Sequence, residues 1–226
     1  KTMDNLKKKF INFIEKTPSF GKSFVCLDDK NNREILKKIA NKNYSTYGIH
    51  KNSNFKIINI SQKISYSKYD VKVALPGSSV KFIRNLQIPI IGLHNIRNAT
   101  AAIAVASSIG ISNRIIKKGL KEFEGVQRRF TKLFFFNGSL FFDDYAHHPT
   151  EIKEVLNGVK EVYKNQEIVC IFQPHRITRV KNLKKEFSLA FKKADTVVLC
   201  PIYKAGENIS LGFDYSNFAR EIIKNS

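Results

Sequence analysis

The chain has 226 residues, 42% of them hydrophobic, which suits one large domain or two ordinary ones built around buried cores. No apolar run approaches the roughly 20 residues that cross a bilayer, and the charged opening has no apolar signal core behind it, so neither membrane insertion nor export is expected. A formal net charge of +20 raises nucleic-acid binding, but pairs such as Lys37 and Lys38, Lys117 and Lys118, or Lys184 and Lys185 fall on the polar sides of separate predicted helices. Without a single aromatic-interleaved stripe, solvated faces are the better reading and no nucleic-acid partner is expected.

In chain order, Leu6, Phe10, Phe13 and Ile14 have helical spacing over residues 6–16, and Pro18 stops that helix. FVCLDD at 24–29 reads as a short buried strand, followed by a helix opened by Asn32 and running to Ala40. TYGIH, FKIINIS and YDVKVALPG then read as strands separated by polar turns. Residues 78–91 are strand-like until Gly92 breaks the pattern before an Ala-rich helix over 95–109; a second helix over 113–123 ends at Gly125.

From Arg128 the rhythm changes to a hairpin, RFTKLFFFNGSLFFDDY, with its turn at Asn137-Gly138. Helices at 150–163, 182–193 and 216–223 then alternate with strands at 167–172 and 196–200, as in a doubly wound parallel sheet. The expectation is an α/β chain with domains at 1–126 and 127–226. Cys26, Cys170 and Cys200 are odd in number, widely spaced and set in apolar runs, as buried thiols of a reducing, cytoplasmic compartment would be.

In open parallel sheets ligands sit beyond the C-terminal ends of the strands, which directs attention to the polar residues there. One strand runs into Asp143, Asp144, Tyr145, His147, His148 and Pro149; another into Gln173, Pro174, His175, Arg176 and Arg179; a third into Tyr203, Gly206 and Glu207. The first cluster holds metal-ligand residue types without ligand spacing, so no metal is expected there. Thr150 and Glu151 are explained well enough as a helix cap, and Asp144 can accept the hydroxyls of a ribose. The planar guanidinium groups of Arg176 and Arg179 suit a carboxylate or phosphate, although two arginines on a loop are common on any surface.

In GLHNIRN, Asn95 and Asn98 stand three apart on a predicted helix and can face one way. Either can be a plain helix cap, and either offers the donor and acceptor pair that matches an adenine edge. Arg128 and Arg129 of GVQRRF fall at the expected domain junction, where an interdomain ion pair and a phosphate contact are equally open readings.

Taken in order, GLHNIRNATAAIAVA, GVQRRF, DDYAHHPTEI, FQPHRITR and AGENISLGFD resemble the successive motifs of the Mur ligase family, and the resemblance extends to NLKKKFINFIEKTP and FVCLDD. It implies the C-terminal part of a Mur ligase central ATPase domain followed by a Rossmann-like C-terminal ligase domain. DDYAHHPTE and FQPHR resemble the members that attach L-alanine to UDP-N-acetylmuramate with ATP and Mg²⁺ through an acyl phosphate. The nearest competitor is the recycling ligase that attaches a ready-made tripeptide, and FQPHRITR and GVQRRF favour the alanine-adding type. The resemblance further implies adenine contacts from Asn95 and Asn98 with His94 beside them, ribose contact from Asp144, phosphate contact from Arg129, and a substrate pocket lined by His148, His175, Arg176 and Arg179.

The family's GxxGKT/S-type phosphate loop is not in this sequence. Gly21-Lys22-Ser23 precedes a strand and lacks a glycine-rich turn, so it is rejected as a stand-in. The expectations that follow are a chain beginning inside the central domain, phosphate and metal ligands located elsewhere, a C-terminal sheet lacking its last strands, and no turnover by these residues alone. A shortened protein that binds nucleotide without catalysis is the rival reading.

Overall fold

The computed structural model describes residues 2–40, 43–207 and 213–225. The chain divides into two compact units, Lys1–Ile90 with His94–Glu124, and Ile91–Leu93 with Gly125–Ser226.

In the first unit, α1 (Met3–Glu15) packs Ile14 into a small core with Val25 and Leu27 around β1 (Ser23–Cys26) and with Ile35, Leu36 and Ile39 around α2 (Lys30–Leu36). α2 starts two residues before the expected position because Asp29 caps it, its carboxylate accepting from the amides of Asn31 and Asn32 at 2.6 and 3.2 Å. Five strands form one sheet in the order β1, β2 (Tyr44–Gly48), β3 (Phe55–Lys63), β4 (Tyr66–Val73), β5 (Lys81–Ile88). β1, β2 and β3 run parallel, whereas β3, β4 and β5 form an antiparallel meander.

The meander carries two irregularities in register, and Asp70 bonds at both. Its carboxylate accepts from the Asn59 side chain at 2.8 Å and from the Asn85 amide at 2.7 Å. Both asparagines have positive φ, 54° and 56°, a conformation their short polar side chain tolerates. Tyr69, Val71, Ile83, Leu86 and Ile88 of the meander share a core with Ile96, Ile103 and Ala104 of α3 (Leu93–Ser108) and Ile116 of α4 (Asn113–Lys121). The sheet thus fixes the helix that bears His94, Asn95 and Asn98.

In the second unit, β6 (Thr131–Phe136) and β7 (Ser139–Asp143) form the expected hairpin, with Asn137 and Gly138 both at positive φ, 44° and 79°. After α5 (Pro149–Val162), β8 (Val169–Phe172) pairs in parallel with β9 (Thr196–Leu199), and a lone parallel bridge joins His175 to Tyr203. The helix expected over 182–193 is present only as the short α7 (Lys184–Ser188), and an additional short helix, α6 (Ile177–Asn182), precedes it with Leu183 between the two. Val180 and Phe187, one from each helix, are both completely buried in a core with Phe172, Phe191 and, from α8 (Tyr215–Asn225), Phe218 and Ile222. Positions 208–212, the middle of AGENISLGFD, lie outside the described residues. Among the described residues no helix is long and apolar enough to cross a membrane.

Phe187→Ala removes a ring with no exposed surface and should destabilise the second unit by about 3–5 kcal/mol. Val169→Ala, at a half-exposed strand position, should stay within about 0.5 kcal/mol. Urea titration with hydrogen-exchange readout on α5 and β8 checks both.

Candidate functional site

In the first unit the expected residues lie in the opening turns of α3. Gly92, at φ 97°, turns the chain into the helix, where a side chain would be strained. His94, Asn95 and Asn98 follow within two turns. Their environments differ: Asn95 is buried and Asn98 exposed, so the spacing that suggested one shared direction does not give one shared environment.

The second unit gathers the remaining residues around the C-terminal ends of β7, β8 and β9. Asp144 ties two motifs together, accepting from the Phe130 amide of GVQRRF at 2.8 Å and from the Ala146 amide at 2.7 Å. Each carboxylate oxygen has a further lone pair for a ligand hydroxyl. Arg128 sits 3.4 Å from Asp143 and holds its guanidinium 4.7 Å from the centre of the Tyr145 ring. Arg129, next in the chain, is exposed.

The cap of α5 is His148 itself. The Thr150 amide donates to His148 Nδ1 at 3.2 Å, while the Glu151 carboxylate accepts from the amides of His147 and His148 at 3.1 and 3.2 Å. A ring nitrogen that accepts in this way carries no proton, which leaves His148 Nε2–H as a donor. Burial would raise the Glu151 carboxyl, but these two amides, with His147 and Arg129 nearby, hold it below its ordinary value.

FQPHRITR is held against the Tyr203 segment by two backbone bonds, Arg176 N–H to the Tyr203 carbonyl at 2.9 Å and Tyr203 N–H to the Pro174 carbonyl at 2.8 Å. The His175 ring lies 4.7 Å from the Tyr203 ring and 6.3 Å from the His147 ring, so two motifs far apart in sequence bring their histidines together. Glu207 fixes the next residues by accepting from the Thr178 hydroxyl at 2.5 Å and the Thr178 amide at 3.0 Å. Arg179 Nη1 is buried and has no hydrogen-bond partner among the described residues, a donor that an incoming carboxylate or phosphate oxygen would satisfy. Desolvation, then Arg179, His147, Arg176 and Arg128, push the His175 imidazole below its ordinary value. The arrangement is a neutral imidazole set among guanidinium groups, suited to an anion and able to take up a proton.

Arg128, Phe130 and Arg176 have φ of 59°, 50° and 68°, so non-glycine strain is concentrated in these loops. Sequence reading leaves Arg128 between an interdomain ion pair and a phosphate contact, and His147, Tyr203 and Glu207 without roles. Tyr203 and Glu207 were marked only by following a strand, and no local spacing links them to residues some thirty positions earlier. Among the described residues no group of three or more His, Cys, Asp and Glu side chains comes together to hold a metal ion.

The Mur ligase middle domain model matches residues 1–106, and that of the Mur ligase glutamate ligase domain matches residues 128–225. The chain belongs to the Mur ligase family. It is 64% identical over 225 residues to the UDP-N-acetylmuramate–L-alanine ligase of Pelagibacter ubique, covering 100% of this chain and 48% of that protein. A ligase of the same name from Bartonella bacilliformis is 37% identical over 222 residues, with 98% and 46% covered. The chain therefore spans about half the length of these relatives.

Among solved structures, the UDP-N-acetylmuramate–alanine ligase of Thermotoga maritima aligns with a TM-score of 0.62 at 28% identity, covering 86% of this chain and 44% of that one. The murein peptide ligase of Psychrobacter arcticus gives 0.61 at 26%, with 87% and 40% covered. The fold of this Mur ligase chain is thus the mixed α/β fold of those enzymes.

Because the folded value for His175 lies below the unfolded 6.5, its contribution to stability is complete above 6.5 and declines as pH falls through the folded value. Arg179→Gln removes one nearby cation, so the imidazole should titrate higher while remaining below 6.5, since desolvation is the larger cause. NMR of the His175 ring proton across pH 4–8 checks this; an unchanged or lower titration point would contradict it.

Proposed function

We propose that this chain supplies the middle and C-terminal parts of an ATP-dependent ligase that joins L-alanine to UDP-N-acetylmuramate in cytoplasmic peptidoglycan synthesis. The observation that carries this reading is the 64% identity over 225 residues with the Pelagibacter ubique protein, which is named for this activity. The grouping of His175, Arg176 and Arg179 supports it, because the reaction needs a place for carboxylates and an acceptor for a proton.

A carboxylate is a poor electrophile, so its oxygen first attacks the terminal phosphorus of ATP, releasing ADP and leaving an acyl phosphate. The alanine ammonium gives up one proton to free its lone pair, the nitrogen attacks the acyl carbon, the bond to phosphate breaks with release of inorganic phosphate, and the nitrogen loses a second proton while keeping the third as the amide N–H. On this reading Asn95 and Asn98, with His94 beside them, read the adenine, and Asp144 accepts the ribose hydroxyls. Arg129 meets the phosphates, while Arg176 and Arg179 hold substrate carboxylates in place for attack. His175, kept neutral, takes up a proton, and His148 Nε2–H donates to developing negative charge. Magnesium would screen the phosphate charge; no residue of this chain is assigned to it.

A second reading, attachment of a ready-made tripeptide to the same sugar nucleotide, is favoured by the likeness to the Psychrobacter arcticus enzyme. Phosphate release by the full-length protein in the presence of ATP and UDP-N-acetylmuramate decides between them: L-alanine should support turnover and the tripeptide should not. Residues 1–226 alone should neither hydrolyse ATP nor form product, and robust turnover by them would sink that claim. In the full-length enzyme, Arg179→Gln should raise the KM of the substrate whose carboxylate it holds on the order of 10- to 100-fold, the range for a lost charge-assisted hydrogen bond.

A further inference from the structure

Asp28 lies just beyond the end of β1, and its carboxylate collects three donors from two other segments. Oδ1 accepts from the His50 amide at 2.9 Å; Oδ2 accepts from the Ile49 amide at 3.2 Å and from Arg97 Nε at 2.6 Å. The two side chains of the ion pair are only 12% and 26% exposed, so water competes weakly for either. Burial would raise the Asp28 carboxyl, but Arg97 and the two amides hold it below its ordinary value.

The surroundings are shaped to this carboxylate. Gly48, the last residue of β2, has φ of 135°, and a Cβ there would stand 2.5 Å from Asp28 Oδ1. On the other side, Arg33 Nη1 donates to the carbonyls of Leu27 and Asp28 at 2.6 and 3.0 Å, fixing the backbone that presents the carboxylate. Arg97 itself sits in the opening turns of α3, between Asn95 and Asn98. A cation near a helix N-terminus is unfavourable against the helix dipole unless an anion balances it, and α3 has no acidic residue in its first turn. Asp28 supplies that anion from a position 69 residues away.

Apolar packing of Ile96 and Ile103 holds α3 against the sheet but is non-directional. A short, half-buried ion pair is directional and sets how far the helix is turned about its own axis. We infer that the Asp28–Arg97 pair is a positioning device for nucleotide recognition, orienting the opening turns of α3 so that Asn95 and Asn98 meet the adenine. This inference rests on the nucleotide role proposed for those asparagines. Asp28 and Arg97 are positioning residues and need not touch the nucleotide themselves.

The test is steady-state kinetics of the full-length enzyme with ATP and with GTP. Asp28→Asn and Arg97→Ala should each raise the KM for ATP about tenfold and narrow the preference for ATP over GTP, with kcat and the KM for L-alanine changed less than about twofold. The double variant should be no worse than either single one, and Arg97→Lys should recover part of the loss. Asn98→Ala is the control for the underlying reading: if it leaves the KM for ATP unchanged, the adenine assignment fails and the inference falls with it. If Asn98→Ala raises that KM while Arg97→Ala does not, or the two single effects simply add, the positioning role alone is overturned. Should Asp28→Asn fail to fold by circular dichroism, Arg97→Ala and Arg97→Lys, at the more exposed partner, decide the matter.

Discussion

Parallel strand pairing is the constraint on which both units depend. Two parallel neighbours bring their C-terminal ends to the same edge, so whatever polar residues follow the strands are collected there without any local sequence relation between them. In the first unit the pairing of β1 with β2 puts Asp28 against the amides of Ile49 and His50. In the second, β8 and β9 continue into the bridge that sets His175 beside Tyr203. The sites are consequences of strand direction, and the loops then decide what chemistry each edge displays.

How much of this is legible from sequence depends on the range of the interaction. The hairpin turn at Asn137-Gly138 and the Ala-rich α3 are local signals, and the structure contains them. The segment around Leu183 is different: apolar spacing over 182–193 suits one helix, whereas the structure holds a short α7 there and a further short helix, α6, before it, with Val180 and Phe187 both buried in the same core. Asn95 and Asn98 share a spacing but not a degree of burial, because the core below α3 accepts one and not the other. His148 is similar. Its place before Pro-Thr-Glu marks a helix start, yet that its own ring would be the cap, with Glu151 answering from the third position, is settled by geometry that residue names do not carry. The Asp28–Arg97 pair spans 69 positions and leaves no mark in any window of sequence.

Electrostatics gives the second site its character. Arg128, Arg176 and Arg179 all bear on His175, and their mutual repulsion is a cost that an anion placed among them would relieve. Local acids cancel it only in part: Asp143 lies 3.4 Å from Arg128, whereas Glu151 is occupied with the α5 cap and Glu207 with Thr178.

The left-handed backbone at Arg176 separates two pressures that usually act together. At φ 68° glycine would be the conformationally easier occupant, and an arginine there carries strain that a purely structural position has no reason to keep. A screen for thermal tolerance should therefore drift toward glycine or asparagine at 176, whereas, on the substrate-holding role proposed for Arg176, a screen for activity of the full-length protein should hold the arginine. The position offers a way to tell, from which variants survive, whether a lineage is being shaped by folding or by chemistry.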